Sequence, residues 1–254
     1  MTRLNWRVAA ITDRGLIRPE NQDSFFVSAD ERVFVVADGM GGQKGGAIAS
    51  RLAVEAVEML WKKEPPPAED RAGIHRWLVE AVSEANRTVY LTASDDPALH
   101  KMGTTIIVGI QSDDGFMHIA HVGDSRAYLI RDGKTIVLTQ DHTIIMEMLI
   151  KGHLTPDQLK TSPFRHYLTR CVGHKSKVEI DETPVELLPG DWIIMSTDGL
   201  SSVLHDEEIG ELVERCREPG EVCDALLEET LVRGAPDNIT ITAINYVAAP
   251  VTVY

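Results

Sequence analysis

The chain has 254 residues and a formal net charge of −14, from 25 Lys and Arg against 39 Asp and Glu. That balance argues against an extended nucleic-acid or anionic-membrane surface, since a phosphate backbone is bound chiefly by Lys and Arg. A hydrophobic share of 43% and a charged share of 25% exclude disorder as the dominant state.

No apolar run approaches the ~18 residues of a membrane span, and the first seven residues carry charge with no long apolar segment behind them. No secretory signal is therefore expected. Cys171, Cys216 and Cys223 form no Cys-x-x-Cys pair, and a reducing cytoplasm is the expected setting. A monomer is the default expectation.

In chain order, the first strong strand signal is the apolar run at 33–37. Helical period follows, with Ile48, Leu52, Ala56 and Leu60 on one face. Three prolines at 65–67 break that helix from a longer one, marked by Ile74, Leu78, Ala81, Ala85 and Val89. Runs at 104–110 and 116–122 are separated by Asp113-Asp114-Gly115, and Asp132-Gly133 marks a second hairpin turn. From about His142 to Arg170 the pattern becomes irregular, with short helical pieces around Gly152 and Pro163. This segment reads as an insertion or flap, not a separate domain. A strand at 192–197, helices at about 206–216 and 220–233, and a period-two strand at 239–246 complete the chain. Asp206, Glu207 and Glu208 suit the N-terminus of the first of those helices. Antiparallel hairpins with long consecutive helices predict an α+β fold, one domain over 1–254 with 142–170 as a flap within it.

The informative feature is where four aspartates fall. Asp38-Gly39 closes the run at 33–37, Asp198-Gly199 closes that at 192–197, Asp124 follows 116–122, and Asp237-Asn238 opens the last strand. Any one of these fits an ordinary turn. Four at the borders of the most apolar strands imply that carboxylates meet where those strand ends converge. Such a cluster needs a cation to offset its repulsion. Hard oxygen ligands without a nearby Cys or His favour Mg²⁺ or Mn²⁺ over zinc.

Other signatures fail. The glycine-rich stretch at 39–46 has Lys44 where a dinucleotide loop needs its third Gly, and Gly45 where a P-loop needs Ser or Thr. It reads instead as a turn in which the backbone comes close to a metal. No cysteine has an Arg six residues on, so no thiol phosphatase chemistry is supported. Cys216 and Cys223 fall on predicted helices as small core residues. His142, His153 and His166 read as surface or packing residues, and His121 as locally hydrogen-bonded.

Six motifs then occur in order. They are Arg18 with Asn21-Gln22-Asp23, Asp38-Gly39-Met40-Gly41-Gly42, Met102-Gly103-Thr104-Thr105, Gly123-Asp124-Ser125-Arg126, Thr197-Asp198-Gly199, and Asp237-Asn238. Together they resemble the bacterial metal-dependent Ser/Thr protein phosphatases of the 2C type, the PPM family, over nearly the whole chain. The resemblance implies a four-layer αββα sandwich of two antiparallel sheets between helices. It implies two tightly held Mn²⁺ or Mg²⁺ ions and a weak third, with phosphoserine and phosphothreonine proteins as substrates. By motif, Asp38 bridges two metals, Asp198 and Asp237 bind the first, and the Gly39 carbonyl binds the second. Asp23 holds a metal's water, Arg18 grips the substrate phosphate, and Asp124 shares a third ion with Asp198. Gln22, Gln43 and Met40 depart from the pattern of relatives, so no motif names a leaving-group acid. Two other classes stay open here: a catalytically silent binding member of the fold, and another metal-dependent phosphoesterase such as a nuclease. Asp124 also has a plainer reading, a strand-end turn paired to Arg126.

Overall fold

The computed structural model describes residues 4–155, 164 and 167–248. Pro163 and His166, and the side chain of Gln43, lie outside the described residues.

Two antiparallel sheets lie face to face. One has the order β1 (Leu4–Asp13), β11 (Ile239–Ala248), β10 (Trp192–Ser196), β7 (Arg126–Arg131) and β8 (Lys134–Val137). The other runs β2 (Asp23–Val27), β3 (Val33–Met40), β5 (Ile106–Gln111), β6 (Phe116–Val122) and β9 (Asp181–Glu186), with the short β4 (Gly103–Thr104) on the end of β3. Helices α1 (Gly42–Lys63) and α2 (Arg71–Asp95) cover the second sheet, and α5 (Asp206–Glu214) and α6 (Pro219–Val232) cover the first. The short α3 (Ile144–Ile150) and α4 (Asp198–Ser201) sit in the connections.

Three buried clusters correspond to the three interfaces of these four layers. Successive strand side chains point to opposite faces, so in β3 Phe34 and Val36 enter the layer between the sheets while Val33, Val35 and Ala37 face α1 and α2. Ala49, Ala53 and Ala56 keep α1 close to that sheet. On the other side Tyr128, Ile130, Ile194 and Ile241 pack against Ile209, Val213, Val222 and Leu226. Sheets covered on both faces favour apolar residues on both sides of a strand, which is why β3, β5, β6 and β10 read as continuous runs. β11 alternates in sequence, yet its Thr240 and Thr242 are buried as well, so the alternation does not mark a half-exposed strand. The four-layer sandwich is the expected fold.

Several boundaries differ. Asp38-Gly39 does not close β3 but lies within it, because β2 and β4 extend the pairing: Asp38 lies opposite Asp23, and Gly39 opposite Thr104. The glycine stretch is not all turn, since Gly42 to Gly46 are already helical in α1. Cys216 falls just past the end of α5, whereas Cys223 is buried in α6. The turn at Asp132-Gly133 has both φ values positive, 50° and 74°, as a tight hairpin between β7 and β8 requires. β1 was not foreseen, yet it pairs with β11 over ten residues.

Candidate metal centre

The ends of both sheets open on one cleft of about 700 Å³, whose lining includes Arg18, Asp38, Gly39, Asp124, Asp198 and Asp237. Asp38 comes from β3, Asp124 from the turn between β6 and β7, Asp198 from the first residue of α4, and Asp237 from the residues leading into β11. Thus four segments distant in sequence each deliver one carboxylate.

Hydrogen bonds and close packing fix the backbone around Asp38 and Asn238. The Asp38 N–H donates to Thr105 Oγ1 (2.9 Å), and the Asp38 carbonyl accepts from the Thr105 N–H (2.9 Å) and the Thr104 hydroxyl (2.8 Å). Gly39 is pressed against the start of α1: a Cβ there would lie 2.0 Å from the Gly46 carbonyl oxygen, so no larger residue fits. Asn238 anchors the loop that carries Arg18. Its Oδ1 accepts from the Gln22 N–H (2.9 Å), and its Nδ2 donates to the carbonyls of Arg14 (2.8 Å) and Glu20 (2.9 Å). Thr105, Thr197, Thr240 and Asn238 thereby build the site, although the sequence reading gave none of them a role. Their signal was adjacency to the aspartate motifs.

Asp23 stands behind the cleft wall, buried beside Asp38 across the β2–β3 pairing. Its Oδ2 accepts from the hydroxyls of Thr197 (2.9 Å) and Thr240 (2.8 Å), while its Oδ1 is buried with no hydrogen-bond partner among the described residues. Burial first, and the nearby Asp198 and Asp237 charges, push the Asp23 carboxyl up to about 7 against the pull of the two hydroxyls. Asp38 is driven well above the usual carboxylate range, by burial and then by Asp198, Asp23, Asp124 and Asp237. Asp124 is raised for the same reasons, burial and then Asp198. Carboxyls that mutually disfavour ionisation, together with an orphaned buried oxygen, form an oxygen donor set that suits divalent cations.

Arg18 reaches the same cleft, where its Nη2 donates to Asp237 Oδ2 at 2.6 Å. About half of its side chain remains exposed, so the guanidinium fork faces the cleft mouth. Asp124 does lie in a strand-end turn, but the ion pair of the plainer reading is not made, because the Arg126 guanidinium pairs instead with Asp141 (2.7 Å) and Asp206 (3.3 Å). A separate group, His121, His142 and Asp181, brings three possible ligand atoms within 4.8 Å of one another but does not line the cleft. As expected, His121 is held locally, its Nε2 lying 3.0 Å from the Gln140 carbonyl. Of the two alternatives for His142, surface or packing, the structure shows packing: the residue is buried.

Comparison with known proteins agrees with this geometry. A family model described as protein phosphatase 2C matches residues 19–232. The chain belongs to the protein phosphatase 2C family. It is 33% identical over 238 residues to the serine/threonine phosphatase stp of Listeria innocua, covering 92% of this chain and 93% of that one. It is 35% identical over 242 residues to the serine/threonine protein phosphatase PstP of Mycobacterium tuberculosis, covering 95% of this chain but 45% of PstP. The solved catalytic domain of PstP in complex with two manganese ions superposes with a TM-score of 0.82 at 32% identity, covering 96% of this chain and 99% of that one. As a member of the metal-dependent protein phosphatase 2C family, the protein is an enzyme. No helix among the described residues is long and apolar enough to cross a membrane.

Proposed function

We propose that this protein phosphatase 2C member removes phosphate from phosphoserine and phosphothreonine in proteins, using two tightly held Mn²⁺ or Mg²⁺ ions and a weaker third. The observation that carries this reading is the convergence of Asp38, Asp124, Asp198 and Asp237 on one cleft with Arg18 at its mouth. Asp38 would bridge the two tight ions, Asp198 and Asp237 would hold the first, and the Gly39 carbonyl the second. Asp124 and Asp198 would share the third.

Uncatalysed phosphomonoester hydrolysis is so slow that the site must supply much of ~20 kcal/mol. Divalent ions, when bound, supply the activation of water and offset the phosphoryl charge. The chain's own residues do the rest. Arg18 offers a planar fork able to hold two phosphoryl oxygens, which a Lys cannot match. Asp23, its Oδ2 clamped by two hydroxyls, would hold a metal's water through its remaining oxygen. Intact Asp38, Asp198 and Asp237 count against a silent binding member, and the charge of −14 counts against a nuclease.

We read residues 1–254 as one phosphatase domain in which 142–170 forms a flap, and its setting as signalling in a reducing cytoplasm, in keeping with three free thiols. The test is release of phosphate from a phosphothreonine peptide. Mn²⁺ should support it and EDTA abolish it; metal-independent release would contradict the proposal.

A further inference from the structure

His142 stands at the head of the 142–170 segment, with 1% of its surface exposed. Its main-chain N–H donates to the Gly123 carbonyl (3.0 Å), and its Nδ1 accepts from the Gly123 N–H (3.1 Å). Both backbone polar groups of Gly123 therefore end on one residue. On the opposite side, a Cβ on Gly123 would lie 2.6 Å from the Thr105 side chain, and the φ of 111° there also requires glycine. The turn that presents Asp124 is thus gripped between Thr105 and His142.

The other edge of the ring points to the far end of the same segment. His142 Nε2 faces Asp181 Oδ2 at 3.4 Å, and Asp181 pairs with Arg170 at 2.5 Å. The His142 carbonyl accepts from the Thr169 N–H (2.8 Å), and the Ile144 N–H donates to the Tyr167 carbonyl (2.9 Å). Both ends of the segment consequently meet on the residue that holds the Asp124 turn.

We propose that His142 is the positioning residue for Asp124, fixing through Gly123 where that carboxylate meets the third cation and tying its place to the base of the flap. This inference rests on the reading of Asp124 as a cation ligand and deepens it. A metal held by His121, His142 and Asp181 themselves is disfavoured by geometry. The two rings stack at 4.6 Å with 25° between their planes, so their in-plane lone pairs run alongside rather than converge. The Gly123 N–H occupies Nδ1 of His142, which puts the ring proton on Nε2, and Arg170 already neutralises Asp181.

The test compares His142→Ala, His142→Asn and His142→Gln. An Asn Oδ1 sits where Nδ1 does and can accept the Gly123 N–H, whereas Gln carries its amide out to the Nε2 position. Outer residues that orient a ligand are worth roughly 10–100-fold in metal affinity or activity. His142→Ala should therefore weaken the loosest Mn²⁺ site in calorimetry by roughly tenfold or more and lower kcat for a phosphothreonine peptide, with the tight sites unchanged. Asn should recover most of both losses and Gln little. On the unaltered protein, ¹⁵N NMR should show His142 in the Nε2–H tautomer, a readout that survives if a variant does not fold. Equal behaviour of Asn and Gln, an Nδ1–H tautomer, or stoichiometric Zn²⁺ binding lost with His121 would overturn the inference. A weak site lost in Asp124→Ala but intact in His142→Ala would overturn it and leave the Asp124 reading standing. Absence of any weak site in the unaltered protein would overturn both.

Discussion

Arg18 and Asp124 make separable contributions to the cleft, and each can be tested alone. The Arg18 guanidinium is the one positive group bonded to an aspartate of the cluster among the contacts described, through Asp237 at 2.6 Å. Arg18→Ala should raise KM for a phosphothreonine peptide by roughly tenfold or more, as loss of a charged hydrogen bond of ~1.5–3 kcal/mol implies. Calorimetric Mn²⁺ affinity should change little, and Arg18→Lys should recover only part of the loss because a point charge cannot form the fork. An unchanged kcat/KM would move Arg18 out of the site. Asp124 gains from the structure, since the Arg126 that could have claimed it is engaged by Asp141 and Asp206. A site with two protein carboxylates and mostly water ligands binds loosely. Asp124→Ala should retain the fold and the two tight metals while losing most turnover, as read by calorimetry alongside phosphopeptide assays. Wild-type turnover with an unchanged number of bound metals would contradict this.

At the scale of elements, the apolar runs that announced β3, β5, β6 and β10 are strands buried on both faces, so composition alone marked them. β11 was marked instead by its period-two alternation and is nevertheless buried on both faces, Thr240 and Thr242 included. β1 escaped because Leu4–Asp13 mixes Arg, Asn and Thr with its apolar residues. It is stabilised by its ten-residue pairing with β11, a long-range partnership that no local pattern records. The aspartates were legible because each borders a legible strand. The hydroxyls that hold them were not: Thr105 between β4 and β5, Thr197 just past β10 and Thr240 in β11 carry no local mark of a role until the fold sets them against Asp38 and Asp23. Between the surface and packing alternatives for His142 the structure gives packing, a choice that an irregular local pattern does not make. The layer between the sheets sets the spacing of the strand ends that deliver the carboxylates. Phe34 there is fully buried among Ile119, Ile193 and Ile244 of the same cluster. Phe34→Ala should cost about 3–5 kcal/mol in urea unfolding, lowering the midpoint at unchanged slope. A loss below about 1 kcal/mol would mean that the two sheets do not pack as described.

For the whole molecule, the acidic cluster links stability to pH and to metal. Asp38 and Asp124 are raised well above the ordinary range, and Asp23 to about 7, first of all by burial. In the unfolded chain these groups titrate near ~3.9. Between those values the folded, metal-stripped protein binds more protons than the unfolded one, so its stability falls as pH rises. His142 works in the opposite sense. Burial lowers it to about 4, so its contribution is lost as pH falls from ~6.5 towards that value. Burial lowers His118 and His121 in the same direction; above about pH 7.5 all three histidines are largely neutral in both states, and the raised carboxyls set the sign. The metal-stripped protein should melt at a lower temperature at about pH 8.5 than at about pH 7.5, and saturating Mn²⁺ should raise Tm more at the higher pH. A melting temperature independent of pH without metal would contradict the cluster's electrostatics.

The most direct test of the central claim, that these carboxylates form the catalytic metal centre, is turnover of a phosphothreonine peptide by Asp38→Asn in saturating Mn²⁺. Asp38 alone is assigned to both tight ions, and the amide removes one of the mutually repelling charges from the cluster, so the variant should fold and melt no lower than the metal-stripped wild type. Its activity should fall well below a tenth of the wild-type rate, a loss of more than ~1.4 kcal/mol of transition-state stabilisation. Retention of more than about a tenth would contradict the assignment of Asp38 as the bridging ligand.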